Sequence, residues 1–216
     1  MMYKDFITKE EMDGITEKVL VNSGASILWQ GEVIKTDIDK LIEFGFGLDI
    51  IWENIDHFDK SSDVLAAIVP SQKAIYMNET KKDLFLRKMG TMNFSKAHEL
   101  GHWILHVTEM KDFQQLSFSD GFRFYCRGGS KRPPQEIQAD MFAASILMPR
   151  NIISGAVNEL KECGKVGFPE LYSLKDKFEV SISALTNRNS DLGLLYFLDK
   201  KVFLSKAEAT GQLHLF

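Results

Sequence analysis

Three of the five histidines in this 216-residue chain fall within nine consecutive positions, at His98, His102 and His106. His98 and His102 are four residues apart, so on an α-helix their imidazole rings project from the same face. Two such rings can bind one zinc ion, and Glu99 beside them is placed to take a proton from a water molecule. This His-Glu-x-x-His spacing predicts a zinc site in which the metal turns a water molecule into a nucleophile at neutral pH.

A catalytic zinc site needs a third protein ligand and an open fourth position. His106 is the nearest candidate, but it would lie about 12 Å from His98 along a helix axis. Zinc–nitrogen bonds of about 2.1 Å could hardly gather both rings while keeping His102. Another familiar arrangement has its third histidine ten residues after the first, and that position is Thr108. Neither alternative supplies the ligand.

Glu136 is the stronger candidate for the third ligand, because Asp140 follows it by one helical turn. The first carboxylate can bind the metal while the second accepts a hydrogen bond from a ligating imidazole and fixes its tautomer. Without the histidine motif, these two residues would be interpreted as a solvated acidic helix face. His106 is interpreted as a histidine that supports the site or lies in the core. It or Tyr125 could also donate a hydrogen bond to the developing oxyanion.

Two helices must position these residues. Residues 94–107 contain no proline and place apolar side chains at core-like spacing, which makes this the clearest helix of the chain. A second helix is predicted from residue 134 or 135 to residue 148, where Pro149 closes it. Between them, residues 108–134 are polar, aromatic and glycine-rich, which is typical of a long and often functional loop.

The rest of the chain mixes helices with short strands. A helix is predicted at residues 8–22, capped by Thr8, and another opens at Thr36 and Asp37 and ends at Gly45 and Gly47. Strand-like runs at 63–69 and 73–77 predict a hairpin, and a helical pattern resumes near residue 81. Two short helices separated at 180–181 and a hairpin over 194–204 complete an α+β pattern.

Two blocks of the sequence resemble the ImmA/IrrE family of metallopeptidases. Residues 94–102 read Phe-Ser-Lys-Ala-His-Glu-Leu-Gly-His, and residues 136–149 read Glu-Ile-Gln-Ala-Asp-Met-Phe-Ala-Ala-Ser-Ile-Leu-Met-Pro. The family pairs an Ala-His-Glu-Leu-Gly-His helix with a Glu-x-x-Ala-Asn/Asp-x-Phe-Ala helix that ends in Leu-Met-Pro. Both blocks in this order are far more specific than the His-Glu-x-x-His core alone. The resemblance covers about residues 33 to 195, weakly outside the two blocks.

The resemblance implies a gluzincin-like, zincin-type α+β core with one zinc ion. The ligands would be His98, His102 and Glu136, with Glu99 as the general base, in agreement with the spacing argument. The resemblance also implies a regulatory role, because enzymes of this family cleave helix-turn-helix repressors and thereby switch on mobile-element or stress-response genes. Many relatives carry an N-terminal helix-turn-helix domain, for which the first 30 residues here are too few.

Three regions are predicted along the chain. Residues 1–32 form a helical extension, residues 33–155 the metallopeptidase core, and residues 156–216 a helical and hairpin segment packed on that core. Residues 178–188 have the residue pattern of a helix-turn-helix, but the second helix of that pattern offers only one basic residue, Arg188. Packing is therefore the favoured role of this segment rather than reading DNA.

Composition narrows the function classes. The formal net charge is −4 without a dominant run of like charge, which argues against a primary nucleic-acid binder. Cys126 and Cys163 lack metal-ligand spacing and are interpreted as free thiols. The N-terminus has no signal-peptide core, and no apolar run reaches the roughly 18 residues of a membrane span. We expect a cytoplasmic protein.

Two function classes remain open at this point. The favoured one is a zinc endopeptidase, since a purely structural zinc site has no use for a base such as Glu99. Its rival is a non-proteolytic zinc protein that binds a partner repressor or DNA.

Manganese or iron could replace zinc, because nitrogen and carboxylate ligands accept several metals. Four basic residues lie in the predicted loop: Arg123, Arg127, Lys131 and Arg132. They could guide an acidic substrate, although a solvated loop is the simpler interpretation.

Overall fold

Two helices packed side by side, α4 and α5, lie at the centre of the fold. The computed structural model describes residues 6–25, 30–58, 64–107 and 133–211. Helix α4 spans Met89–His102 and continues as a π-helical turn over Trp103–Val107, and α5 spans Pro134–Leu147. A Cβ atom added at Gly101 would lie 3.1 Å from a ring carbon of Phe142. The absence of a side chain at Gly101 therefore lets the two backbones approach closely.

A small mixed sheet covers one side of α4. Its strands are β1 (Asp49–Glu53), β2 (Ala66–Val69) and β3 (Ala74–Asn78), in the order β1-β3-β2. Strand β1 runs parallel to β3 with Asp49 opposite Ala74, and β2 runs antiparallel with Ile68 opposite Ile75. Strand β2 is thus an edge strand, and it packs on α4.

The central strand β3 is buried along its whole length, because both faces of the sheet are covered. One face joins the main core, to which Ile68, Ile75, Leu100 and Phe142 contribute. The other face forms a smaller cluster of buried side chains, made of Ile55, Val64, Ala67, Ala74 and Tyr76.

The N-terminal elements pack on this centre. Helix α1 (Lys9–Asn22) begins with a capping box, in which Thr8 accepts a hydrogen bond from the Glu11 backbone and the Glu11 carboxylate accepts one from Thr8. Helix α1 packs against α5. Helix α2 (Ile38–Lys40) continues as a π-helical turn over Leu41–Gly45, and α3 spans Lys82–Arg87.

The C-terminal part consists of helices and a short hairpin. The helices are α6 (Arg150–Glu162), α7 (Phe168–Phe178), α8 (Ile182–Asp191) and α9 (Lys206–Thr210), and the strands are β4 (Tyr196–Leu198) and β5 (Lys201–Phe203). Asp199 and Lys200 both have positive φ, which suits the two-residue turn of this hairpin. Between α7 and α8, Glu179 adopts the left-handed conformation that ends α7.

Ion pairs connect elements that are far apart in the sequence. The buried guanidinium of Arg188 on α8 bonds to Asp13 on α1, and its Nε donates to the Met148 carbonyl at the end of α5. Arg150 contacts the same Asp13 carboxylate at 2.8 Å. Arg188 therefore joins three helices, which is a packing role.

The predicted α+β class is confirmed, with the two site helices and both hairpins in place. Four elements differ from the sequence patterns. Strand β1 and helix α9 fall where no element was assigned, α6 follows Pro149 directly, and α7 begins at Phe168 rather than near residue 175. The last turn of the 94–107 helix is π-helical rather than α-helical. The three-region division stays a prediction, and its boundary at 155 lies within α6.

Most of the predicted loop, residues 108–132, lies outside the described residues, and so do Tyr125 and the basic positions within it. None of the helices in the described ranges is both long and apolar enough to cross a lipid bilayer.

The close approach of α4 to the turn before α8 gives a first prediction. A Cβ at Gly90 would meet the backbone of Val180 and lie 2.5 Å from the Ser181 nitrogen. Gly90→Ala should lower the free energy of unfolding by about 1–3 kcal/mol, as overpacking does. The control is Gly14→Ala in α1, where nothing lies within 4 Å, and it should stabilise by about 0.5–1 kcal/mol. Equilibrium urea unfolding measures the free energy of unfolding of both variants. Equal stabilisation by the two substitutions would contradict the close contact of Gly90 with the backbone of Val180 and Ser181.

The Asp13 ion pairs give a second prediction. Asp13→Ala removes the partner of a buried guanidinium, so unfolding free energy should fall by about 3–5 kcal/mol. Asp191→Ala is the matched control, because Asp191 pairs with Lys9 in an exposed contact at 2.5 Å. That change should cost less than about 1 kcal/mol. Thermal unfolding monitored by circular dichroism separates the two, and similar losses would show that Arg188 does not depend on Asp13.

Candidate metal centre

Three side chains from α4 and α5 converge in the interior. His98 Nε2 and His102 Nε2 are 3.0 Å apart. The Glu136 carboxylate lies 3.3 Å from His98 Nε2 through one oxygen and 3.4 Å from His102 Nε2 through the other. Both histidines are fully buried, and the Glu136 side chain is only 12% exposed. The sequence-predicted trio thus lies together.

The spacing of these atoms fits a tetrahedral metal site. Ligands about 2.0–2.1 Å from a tetrahedral zinc ion are separated from one another by about 3.3 Å. The two nitrogens are 3.0 Å apart, and they lie 3.3 and 3.4 Å from the two oxygens of the Glu136 carboxylate, which is close to that spacing. Imidazole nitrogen and carboxylate oxygen are donor types that zinc accepts. The cluster is therefore compatible with a metal ion.

Asp140 orients the ring of His98. Its carboxylate oxygen lies 2.9 Å from His98 Nδ1. The Asp140 carboxylate accepts this hydrogen bond, so His98 Nδ1 donates and Nε2 is the ring nitrogen that faces the cluster. Asp140 thus contacts His98 on the side away from the cluster, and its predicted supporting role stays a prediction.

His106 lies beside His102 but outside the three-atom cluster. Its Nδ1 is 3.1 Å from His102 Nδ1, on the side of the His102 ring away from Glu136. Its Nε2 is 3.0 Å from Oε1 of Gln138, a buried amide on α5. His106 belongs to the π-helical turn Trp103–Val107, and such turns are frequent at functional sites. The structure thus places His106 in contact with a candidate ligand rather than among the candidate ligands.

Charge states at neutral pH suit a cation. Burial lowers the pKa of His102 to about 4, so its ring is neutral. Burial raises the pKa of Glu136, but its contacts with His102 and His98 outweigh that effect and bring it down to about 2. The cluster therefore offers the neutral imidazole of His102 and the ionised carboxylate of Glu136, which are forms that bind metals.

Glu99 is fully buried next to the cluster and is held by the sheet. Its Oε2 accepts a hydrogen bond of 2.8 Å from the backbone N–H of Ile68 on β2. Its Oε1 is buried and has no hydrogen-bond partner among the described residues. Burial raises the pKa of Glu99 to about 7, although His98 and the Ile68 hydrogen bond oppose that rise. An unpartnered buried carboxylate oxygen is costly, which is typical of a group kept for chemistry.

Two members of the site escaped the sequence analysis. Gln138 lies between Glu136 and Asp140 in the sequence, and this position was the available signal. The structure shows that its amide is buried. The Ile68 contact uses a backbone N–H, which no side-chain pattern reveals. Thr108 and Tyr125 lie outside the described residues.

Comparison with known proteins assigns the chain to a family. A family model for peptidases, described as the IrrE N-terminal-like domain, matches residues 48–190. Among solved structures, a Mycobacterium tuberculosis transcriptional regulator is similar, with 16% sequence identity and a TM-score of 0.49. The similarity covers 84% of this chain but only 46% of that protein. The comparison with curated proteins gives no match. Because the family model covers well over half of the sequence, the chain belongs to the peptidase family of IrrE N-terminal-like domains.

Proposed function

We propose that the protein is a zinc-dependent endopeptidase in which His98, His102 and Glu136 hold one zinc ion and Glu99 is the general base. The observation that carries the proposal is the convergence of two buried imidazole nitrogens and an ionised carboxylate at 3.0–3.4 Å. The adjacent buried Glu99 and membership of a peptidase family support it.

A zinc ion bound here would polarise the scissile carbonyl and lower the pKa of a water molecule to about 7. Glu99 takes the proton of the attacking water and later passes it to the leaving amine. A pKa of about 7 suits a group that must do both at neutral pH. The Ile68 N–H holds one carboxylate oxygen of Glu99 and leaves the other, Oε1, for the proton.

An open coordination position separates catalytic from structural zinc sites. Within the described part of the chain, only three His, Cys, Asp or Glu side chains meet at the cluster. Tetrahedral coordination by three protein atoms leaves a fourth position for water or substrate. The described residues therefore favour the enzyme over the rival, a non-proteolytic zinc protein.

The proposed substrate is a helix-turn-helix transcriptional repressor in the cytoplasm, whose cleavage would derepress mobile-element or stress-response genes. Support for this finer statement comes from the resemblance of residues 94–102 and 136–149 to the ImmA/IrrE family. The site itself supports peptide hydrolysis, and a substrate protein must be identified by experiment.

Zinc binding tests the ligand assignment. The purified protein should bind one zinc ion per chain, and Glu136→Ala should lose stoichiometric metal because two imidazoles alone hold zinc weakly. Glu159→Ala is the control, since it removes an exposed carboxylate on α6. Inductively coupled plasma mass spectrometry after dialysis reports the metal content. Full zinc retention in the Glu136 variant would rule out the assignment.

Repressor cleavage tests the activity. The protein is co-expressed with a helix-turn-helix repressor encoded beside its gene, and fragments are identified by mass spectrometry. Wild type should produce a discrete cut, whereas Glu99→Gln should bind zinc and lose cleavage by about 100-fold or more, the usual contribution of a general base.

Two other outcomes distinguish the rival function. An intact repressor that co-purifies with both zinc-loaded proteins would indicate a regulator that binds without cutting. Equal cleavage by wild type and Glu99→Gln would leave the peptidase standing and remove Glu99 from the role of base.

A further inference from the structure

We propose that Gln138 and His106 are positioning residues that fix the ring tautomer of His102, so that His102 Nε2 presents its lone pair to the metal. This inference rests on the zinc site proposed above and concerns how one of its ligands is prepared. It gives a role to a buried histidine and a buried amide that the proposed hydrolysis does not otherwise use.

The geometry is a chain of two hydrogen bonds that starts on α5 and ends at the candidate metal ligand. Gln138 Oε1 is 3.0 Å from His106 Nε2, and His106 Nδ1 is 3.1 Å from His102 Nδ1. All three side chains are buried. Both distances are those of hydrogen bonds.

The contact between the two Nδ1 atoms couples the tautomers of the rings. One nitrogen must donate and the other accept, because two lone pairs or two protons facing each other would repel. If Gln138 Oε1 accepts from His106 Nε2, then His106 Nδ1 is the acceptor and His102 Nδ1 the donor. A neutral His102 that carries its proton on Nδ1 has its lone pair on Nε2.

The opposite arrangement is incompatible with a metal ligand. A reversed Gln138 amide would donate to His106 Nε2, so His106 Nδ1 would donate to His102 Nδ1. The His102 proton would then lie on Nε2, which faces His98 and Glu136. The amide oxygen of Gln138 is therefore the group that selects the metal-binding form, two bonds away from the ligand.

The two histidine ligands are thus prepared by different means. His98 donates directly to Asp140, whose side chain is 28% exposed and can keep contact with water. The partners of His102 are buried, since His106 and Gln138 are only 5% and 4% exposed, and a carboxylate in their place would carry a large desolvation cost. A neutral imidazole and a neutral amide accept the same proton without burying another charge, which explains why His102 is supported by a relay rather than by an acid.

Three variants test the relay. Gln138→Leu removes the acceptor, and Gln138→Glu restores one as a carboxylate. Asn93→Leu is the matched control, because Asn93 is a buried amide on α4 whose side chain donates to the Glu179 carbonyl, away from the histidines. The whole protein is labelled with ¹⁵N-histidine, and ring tautomers are read from long-range proton–nitrogen spectra without metal. Zinc affinity is then measured by competition with a chelator.

We expect His102 to be protonated on Nδ1 and His106 on Nε2 in the metal-free wild type and in Asn93→Leu. In Gln138→Leu both rings should become mixtures of tautomers, and zinc affinity should fall by about 10–100-fold. Gln138→Glu should keep the wild-type tautomers, because an ionised carboxylate accepts the same hydrogen bond from His106 Nε2. The chain has five histidines, so each signal can be assigned by single substitution.

Several results would overturn the relay while leaving the zinc site intact. One is an unchanged His102 tautomer with unchanged zinc affinity in Gln138→Leu. Should that variant fail to fold, the wild-type spectrum decides, because His106 protonated on Nδ1 contradicts the relay by itself. A wild type that shows the expected tautomers but binds no zinc would instead overturn the proposed function and support the tautomer assignment.

Discussion

The close packing of α4 against α5 is the constraint on which the rest of the structure depends. The two helices bring the candidate ligand atoms of His98, His102 and Glu136 to within 3.0–3.4 Å, a separation with little tolerance for a metal site. Gly101 lies where a side chain would press on Phe142, so the interhelical distance is set by a missing Cβ next to the histidine pair. The apolar core therefore sets the geometry of the polar site.

The inward face of α4 carries a row of buried polar groups, and each must find a partner or cost stability. The partners come from different elements: α5 supplies Asp140 for His98, and β2 supplies the Ile68 N–H for Glu99. The ion pair of Lys96 with Asp39, at 2.7 and 2.8 Å, attaches α2 to the same helix. The small sheet and the short helices thus contribute to the site by holding α4 in place.

The parts that the sequence predicted are those encoded by side-chain type and local spacing. The His98–His102 spacing, the Thr8 cap and the proline after α5 act within a few residues, so they can be read from one sequence. Strand β1 escaped because its identity depends on parallel pairing with β3, a partner 25 positions away. Gln138 escaped for a related reason: its role exists only when α5 meets the π-helical turn that carries His106. Long-range pairing is a tertiary property that local pattern does not specify.

The last constraint concerns how many acidic side chains α5 places beside the histidines. Positions 136 and 140 contact histidines of α4 and position 138 contacts His106 in the π-helical turn, yet only positions 136 and 140 are acidic. A divalent cation at the cluster would be matched by the two carboxylates of Glu136 and Asp140. A third acid at 138 would add a buried negative charge and repel the ionised Glu136. An amide there accepts a hydrogen bond without that charge, and Glu99 is the further carboxylate that the described part of the chain places beside the cluster. Keeping α5 to two acids thus lets the cluster attract a cation without surrounding it with excess negative charge.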